Sequence, residues 1–291
     1  MDMETVKQFV FLAFFALLTI TTAHAQQKLI VRNSETGESF EVEIPDGLTI
    51  TADGWPDSVE VYRERARQGD VEAYRKLARC YEDGVGVEAN FVNMMYLYEL
   101  ADYMDGKRDH HYFRKSRLGQ MLEDMDRKYQ DNDSVGAEEI LAQINNEWPS
   151  SLWIMNVINI ENKKELAHIL EPEAQNGDML ARLVLASMAA DSVCSDACIC
   201  ELEEVAAYAP MMYNKLGHIY MGNPNSMRTD IDRAIDYFRK ADEYAMLSRK
   251  GAKGLLECYR IKMERGEKPC DDMELSRLRR LSEYRKSTET E

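Results

Sequence analysis

Along residues 28 to 52, apolar and polar positions alternate. Leu29, Val31, Phe40, Val42, Ile44, Leu48 and Ile50 fall on repeating faces of "KLIVR", "SFEVEI" and "LTITA", the period-two pattern of half-buried strands. Ser34-Glu35-Thr36-Gly37 and Pro45-Asp46-Gly47 supply turn chemistry between them. The pattern predicts a small three-stranded β-meander over 26–56, too small to stand without packing on something else. Trp55-Pro56 marks its end. From Asp57 onward the period becomes helical, and it stays helical to a polar capping helix around 271 to 285.

Within the helical region, 57–291, phrases recur. "GDVEAYRKLA" at 69 to 78 returns as "GDMLARLVLA" at 177 to 186, with Gly, Asp, Ala, Leu and Ala aligned. The offset of 108 residues is three periods of about 36. A second phrase sets Leu and a small or apolar residue before Tyr: Leu77-Ala78 before Tyr81, Leu216-Gly217 before Tyr220, Leu255-Leu256 before Tyr259. Leu118-Gly119 begins a weaker copy. A partner phrase, "RAIDYFRKAD" at 233 to 242, has a fainter counterpart in "NMMYLYELAD" at 93 to 102. Small residues at fixed positions let antiparallel helices approach closely while Tyr and Leu fill the seam. The expected fold is all-α, an array of antiparallel helix hairpins stabilised by packing between neighbours.

These phrases resemble the Sel-one-like repeat, a branch of the tetratricopeptide superfamily. Ala73, Leu77, Tyr81, Gly84, Gly86 and Val87 match the family's first helix and loop, and Ala234, Tyr237, Phe238, Lys240 and Ala241 match its second helix. The match is specific at 69 to 101 and 213 to 242 and degenerate between them. Ala78 stands where the family has Gly, Met94 where it has Ala, and Gly222-Asn223-Pro224-Asn225 replaces the double-glycine loop. The resemblance implies a right-handed α-solenoid of about five or six repeats. It also implies an adaptor role in assembling complexes.

The first 25 residues have another purpose. "FVFLAFFALLTITTA" follows Lys7 and ends at Ala23-His24-Ala25, a small-x-small cleavage signature. It reads as a signal peptide cut after Ala25, with a retained membrane anchor as the alternative. The run is short for a span and no basic cluster follows it. Asp2 and Glu4 make its head less positive than usual. The expected product is periplasmic or secreted, with no membrane insertion after leader removal.

Of the 291 residues, 52 are Asp or Glu and 36 Lys or Arg, a net charge of -16. That balance repels polyanions and anionic membrane surfaces, so no nucleic-acid partner is expected.

Chemistry-bearing motifs are few. The glycines of "LARCYEDGVGV" (77 to 87) follow a helix and lack the Lys-Ser/Thr of a nucleotide loop, so Gly84 and Gly86 are expected to turn the chain rather than cradle a phosphate. Six cysteines in an exported chain invite a disulfide reading. Cys80 and Cys258 each precede a repeat Tyr and are expected to be core thiols. "CSDACIC" at 194 to 200 holds three thiols where a tetrahedral site wants four ligands. Cys270 or His218 could complete such a site, and a bridge from Cys194 to Cys198 or Cys200 is a second alternative; the favoured reading is structural and metal-free. Cys198 is expected to share a buried face with Leu202 and Val205.

His110-His111 adjoin Asp109 in a charged turn, and His168 and His218 stand singly. Asp271-Asp272 reads as a solvated pair. The seventeen methionines, among them Met94-Met95 and Met211-Met212, read as core.

No catalytic, cofactor or metal site is expected. The functional expectation is a non-catalytic protein–protein interaction module that presents a helical groove to another protein or peptide of basic or mixed charge. The alternatives are an enzyme using carboxylates or the 194-to-200 thiols, and a structural envelope component.

Overall fold

Both copies of the recurring Gly-Asp phrase are helix boundaries. Gly69 and Gly177 hold φ at 93° and 92°, which ends one helix. Asp70 then caps the next by accepting from the backbone N–H of Glu72 at 2.9 Å and Ala73 at 3.2 Å. Asp178 does the same with Leu180 at 2.9 Å and Ala181 at 2.8 Å. A short acid at the N-cap satisfies amides the helix cannot reach, so the phrase is punctuation with a physical cause.

The computed structural model describes residues 16–20, 28–33, 39–43, 59–148, 162–191, 195–222 and 229–283. The chain divides into two units, Met1–Val61 and Tyr62–Glu291. In the first, β1 (Ala16–Ile20), β2 (Lys28–Asn33) and β3 (Ser39–Glu43) form an antiparallel sheet in that order. Val31 pairs with Leu18 on one side and Phe40 on the other. The alternating segments at 28 and 39 are thus strands. The third expected strand, around 48 to 52, lies outside the described residues, and β1 comes from the apolar run before residue 25.

From residue 59 on, every regular element described is a helix, and the fold is all-α. The helices are α1 (Val59–Arg67), α2 (Val71–Asp83), α3 (Phe91–Met104), α4 (His111–Arg114), α5 (Arg117–Gln130) and α6 (Ser134–Glu147). They continue as α7 (Lys163–Gln175), α8 (Met179–Ala190), α9 (Asp196–Tyr208), α10 (Met212–Tyr220), α11 (Ile231–Glu243), α12 (Arg249–Glu264) and α13 (Asp272–Glu283). Most packing joins helices adjacent in sequence, notably α2 with α3, α10 with α11, and α5 with α6.

The two hairpins α2–α3 and α10–α11, which share the recurring phrases, close their loops alike. Asn90 N–H donates to Tyr81 O at 2.9 Å, and Asp230 N–H donates to Tyr220 O at 2.8 Å. In each case the N-cap of the second helix is tied to the repeat tyrosine of the first. In the second hairpin Phe238 packs between two glycines. A Cβ built on Gly217 of α10 or Gly254 of α12 would stand 2.6 Å from its ring. Glycine at these positions lets α11 sit against both neighbours, and α10 and α12 touch as well.

Neighbour packing is not the whole account, which corrects the sequence expectation. Asn90 and Asn93 donate their side-chain amides to Tyr208 O at 3.0 and 3.1 Å. Tyr96 on α3 donates its hydroxyl to Met246 O at 3.3 Å, and Arg249 lies over the Tyr103 ring at 5.9 Å. The first matched hairpin therefore docks on the 208–249 stretch, skipping the helices between. Among the described residues, no helix is long and apolar enough to cross a membrane.

Candidate functional site

α9 starts where Ser195 caps it, its hydroxyl accepting from Cys198 N–H at 3.2 Å. Its buried stripe is Ile199, Leu202, Val205 and Ala206. Cys198 is only half-buried, because the stripe runs through Ile199 instead; this corrects the expected face. Beside that stripe α9 presents Asp196, Cys200 and Glu203, all exposed, on the face they share with Ile199. With α10 and α11 it encloses a hollow of about 520 Å³ whose other walls carry Tyr220, Arg233, Asp236, Tyr237 and Lys240.

Tyr220 and Tyr237 of this hollow begin a row of tyrosines that continues beyond it through Tyr213 and Tyr244. Tyr220 and Tyr237 stack with centroids 5.5 Å apart, Tyr237 and Tyr213 at 6.2 Å, and Tyr213 and Tyr244 at 6.5 Å, with interplanar angles of 21°, 18° and 27°. Cations ride along it. Arg63 lies 5.2 Å from the Tyr244 centroid, Lys240 5.5 and 5.4 Å from those of Tyr213 and Tyr237, and Arg233 5.3 Å from that of Tyr220. Arg233 also donates to the Tyr220 hydroxyl at 2.9 Å. The negative faces of the rings favour these positions.

Tyr237 donates its hydroxyl to the Glu203 carboxylate, tying α11 to α9 across the hollow. Burial first, then that hydrogen bond and the Glu203 charge, push the Tyr237 phenol well above its ordinary range. It stays protonated and remains a donor.

The tyrosine row was not singled out from the sequence, though a signal exists. Tyr213 and Tyr220 are seven residues apart, as are Tyr237 and Tyr244. Seven residues return a helical side chain to the same face. That the two faces meet is decided by how α10 and α11 pack.

The remaining sequence candidates do not converge there. Gly84 ends α2 in the left-handed region at φ 67°, and Gly86 follows at 72°. Gly84 and Val85 both donate their N–H to Cys80 O. The loop ends one helix and feeds the next.

Cys80 and Cys258 are buried free thiols. Burial raises the Cys80 pKa and pushes that of Cys258 up to about 12. Cys200 and Cys270 are free as well, Cys198 is half-buried, and Cys194 lies outside the described residues. Among the described residues no three His, Cys, Asp or Glu side chains come together as a metal group.

His110 approaches Glu99 at 3.7 Å and His111 approaches Lys115 at 2.9 Å, at the surface. His168 is exposed. His218 packs edge-on against Phe238, centroids 5.0 Å apart. Asp271, read as solvated, caps α13 by accepting from Glu274 N–H at 2.8 Å. Met94 and Met212 are buried, and Met95 and Met211 half-buried.

No family model matches the chain, and comparison with curated proteins and with solved structures gives no match.

Proposed function

We propose that the chain is a non-catalytic interaction module of the extracytoplasmic space. In this reading it is a right-handed solenoid of Sel-one-like helix hairpins behind a leader cleaved after Ala25 and an N-terminal β-meander, and its hollow receives a segment of another protein. The observation that carries the reading is the tyrosine row with its flanking charges on α9, α10 and α11. Rigid aromatic side chains with polar handles are the groups that anchor interfaces, and here Tyr220 and Tyr237 of the row line a concave surface.

The test is photocrosslinking in the native extracytoplasmic space with the reactive group at position 236 or 203. Reproducible capture of one partner, lost when Tyr237 or Tyr220 is replaced, supports the module. A catalytic reading draws on one feature: the Cys200 thiol opens into the hollow beside Glu203 and Lys240. A turnover abolished by Cys200→Ser with the helical content unchanged would overturn the module in favour of the enzyme.

A further inference from the structure

Lys240 has two carboxylates at helix-neighbour spacing and takes neither. Asp236 lies four residues before it and Glu243 three after, spacings that bring side chains alongside on a helix. Its ammonium stands instead over the Tyr213 and Tyr237 rings. Asp236 is exposed at the rim of the same hollow and pairs with no cation among the described residues. The other cations at helix-neighbour spacing also turn elsewhere: Arg233 donates to the Tyr220 hydroxyl at 2.9 Å, and Arg239, which feels the Asp236 charge without contacting it, donates to the Tyr259 hydroxyl at 3.0 Å and to Pro269 O at 2.9 Å. In a chain with 52 acids and 36 bases, a lysine committed to rings beside a carboxylate that contacts no cation among the described residues needs a reason.

We infer that Lys240 is an internal stand-in for a cation supplied by the partner. The hollow takes a lysine or arginine side chain from a basic segment. That side chain displaces the Lys240 ammonium from the ring faces, and Lys240 then pairs with Asp236 or Glu243 along α11. Exposed cation–π contacts and helix-neighbour ion pairs are of similar modest size, so the exchange is nearly neutral within the chain.

The incoming group is cationic rather than anionic for two reasons. The ring faces attract positive charge, and the acids around the hollow and the chain's net charge of -16 draw in a basic segment and repel an acidic one. This inference deepens the module reading and rests on it.

The experiment uses the full chain with three probes: a short peptide bearing two arginines, its glutamate counterpart, and a neutral oligosaccharide. Dissociation constants are measured, and maleimide labelling of Cys200 is followed by peptide mapping. The arginine peptide is expected to bind and to slow Cys200 labelling; the other two are not. Lys240→Met is expected to bind the arginine peptide about three- to tenfold more tightly, because the internal competitor is gone. Lys240→Gln, also uncharged, carries the same expectation and guards against a fold change peculiar to one variant. Lys240→Arg is expected to match the parent chain, and Asp236→Asn to bind more weakly.

Unchanged or weaker binding by both neutral variants would overturn the inference, as would protection of Cys200 by the glutamate peptide or by the oligosaccharide. Partner capture that maps to another surface, with no protection of Cys200 by the arginine peptide, removes this inference and leaves the module standing. Protection of Cys200 without any native capture overturns the module reading and, with it, the partner's part in this inference, leaving a cation-binding hollow alone.

Discussion

Arg277 on α13 donates both terminal nitrogens to the two carboxylate oxygens of Asp242 on α11, at 3.0 and 2.7 Å. Both side chains are almost fully enclosed, at 8% and 7% exposure. Arg67, at the end of α1, brings its Nε and a terminal nitrogen to the same carboxylate at 3.2 and 3.1 Å, and Arg277 also donates to Arg67 O at 3.2 Å. One acid therefore clasps α1 to α11 and α13, across 175 residues of sequence from Arg67.

Asp242→Ala leaves the buried Arg277 guanidinium without its carboxylate partner, while Arg67 keeps only Glu64 at 2.7 Å. Breaking one side of a buried pair costs about 3–5 kcal/mol, and that loss is expected in urea unfolding at neutral pH. A loss under about 1 kcal/mol, the worth of a surface pair, would show that the clasp is not desolvated.

Gly217→Ala places a methyl where the Phe238 ring already stands. Overpacking of a filled core costs about 1–3 kcal/mol, so a loss of that size in thermal or urea unfolding is expected. Phe238→Leu destabilises by itself, but combined with Gly217→Ala it should cost less than the sum, since the smaller residue makes room. Additive losses would contradict the contact.

His218 titrates below its ordinary value, first because burial disfavours the imidazolium and second because Lys250 is near. As pH falls through about 6.5, the unfolded chain binds this proton before the folded chain does. Stability is therefore full above the unfolded value and declines as pH drops below it. Melting temperature is expected to fall less steeply between about pH 6.5 and pH 5.5 in His218→Gln than in the parent chain. Identical slopes would remove His218 from the acid response.

Alkylation of the native chain at mildly alkaline pH should separate the thiols by exposure. Cys200 is exposed, Cys270 is half-buried with a pKa raised by burial and neighbouring acids, and Cys80 and Cys258 are buried with raised values. Since the thiolate is the reactive form, mass spectrometry should find Cys200 labelled first, Cys270 later, and Cys80 and Cys258 only after unfolding. Early labelling of Cys258 would contradict its place in the core.

What the sequence alone determined is what depends on near neighbours. Gly69-Asp70 and Gly177-Asp178 are legible as boundaries because a cap reaches only two or three residues ahead. The Gly84–Gly86 turn and the core thiols beside Tyr81 and Tyr259 are legible for the same reason, since a helical period assigns each residue a face. What only the tertiary structure decided is which faces meet. Asp102 and Asp242 end matching phrases and are both buried, yet Asp102 accepts from Tyr112 N–H at 3.0 Å while Asp242 holds two arginines from distant helices. The four tyrosines become a row, and Cys200 rather than Cys198 reaches the hollow, only when α9, α10 and α11 pack together. Hydrogen bonds and ring contacts between chain-distant groups depend on packing that no local period encodes.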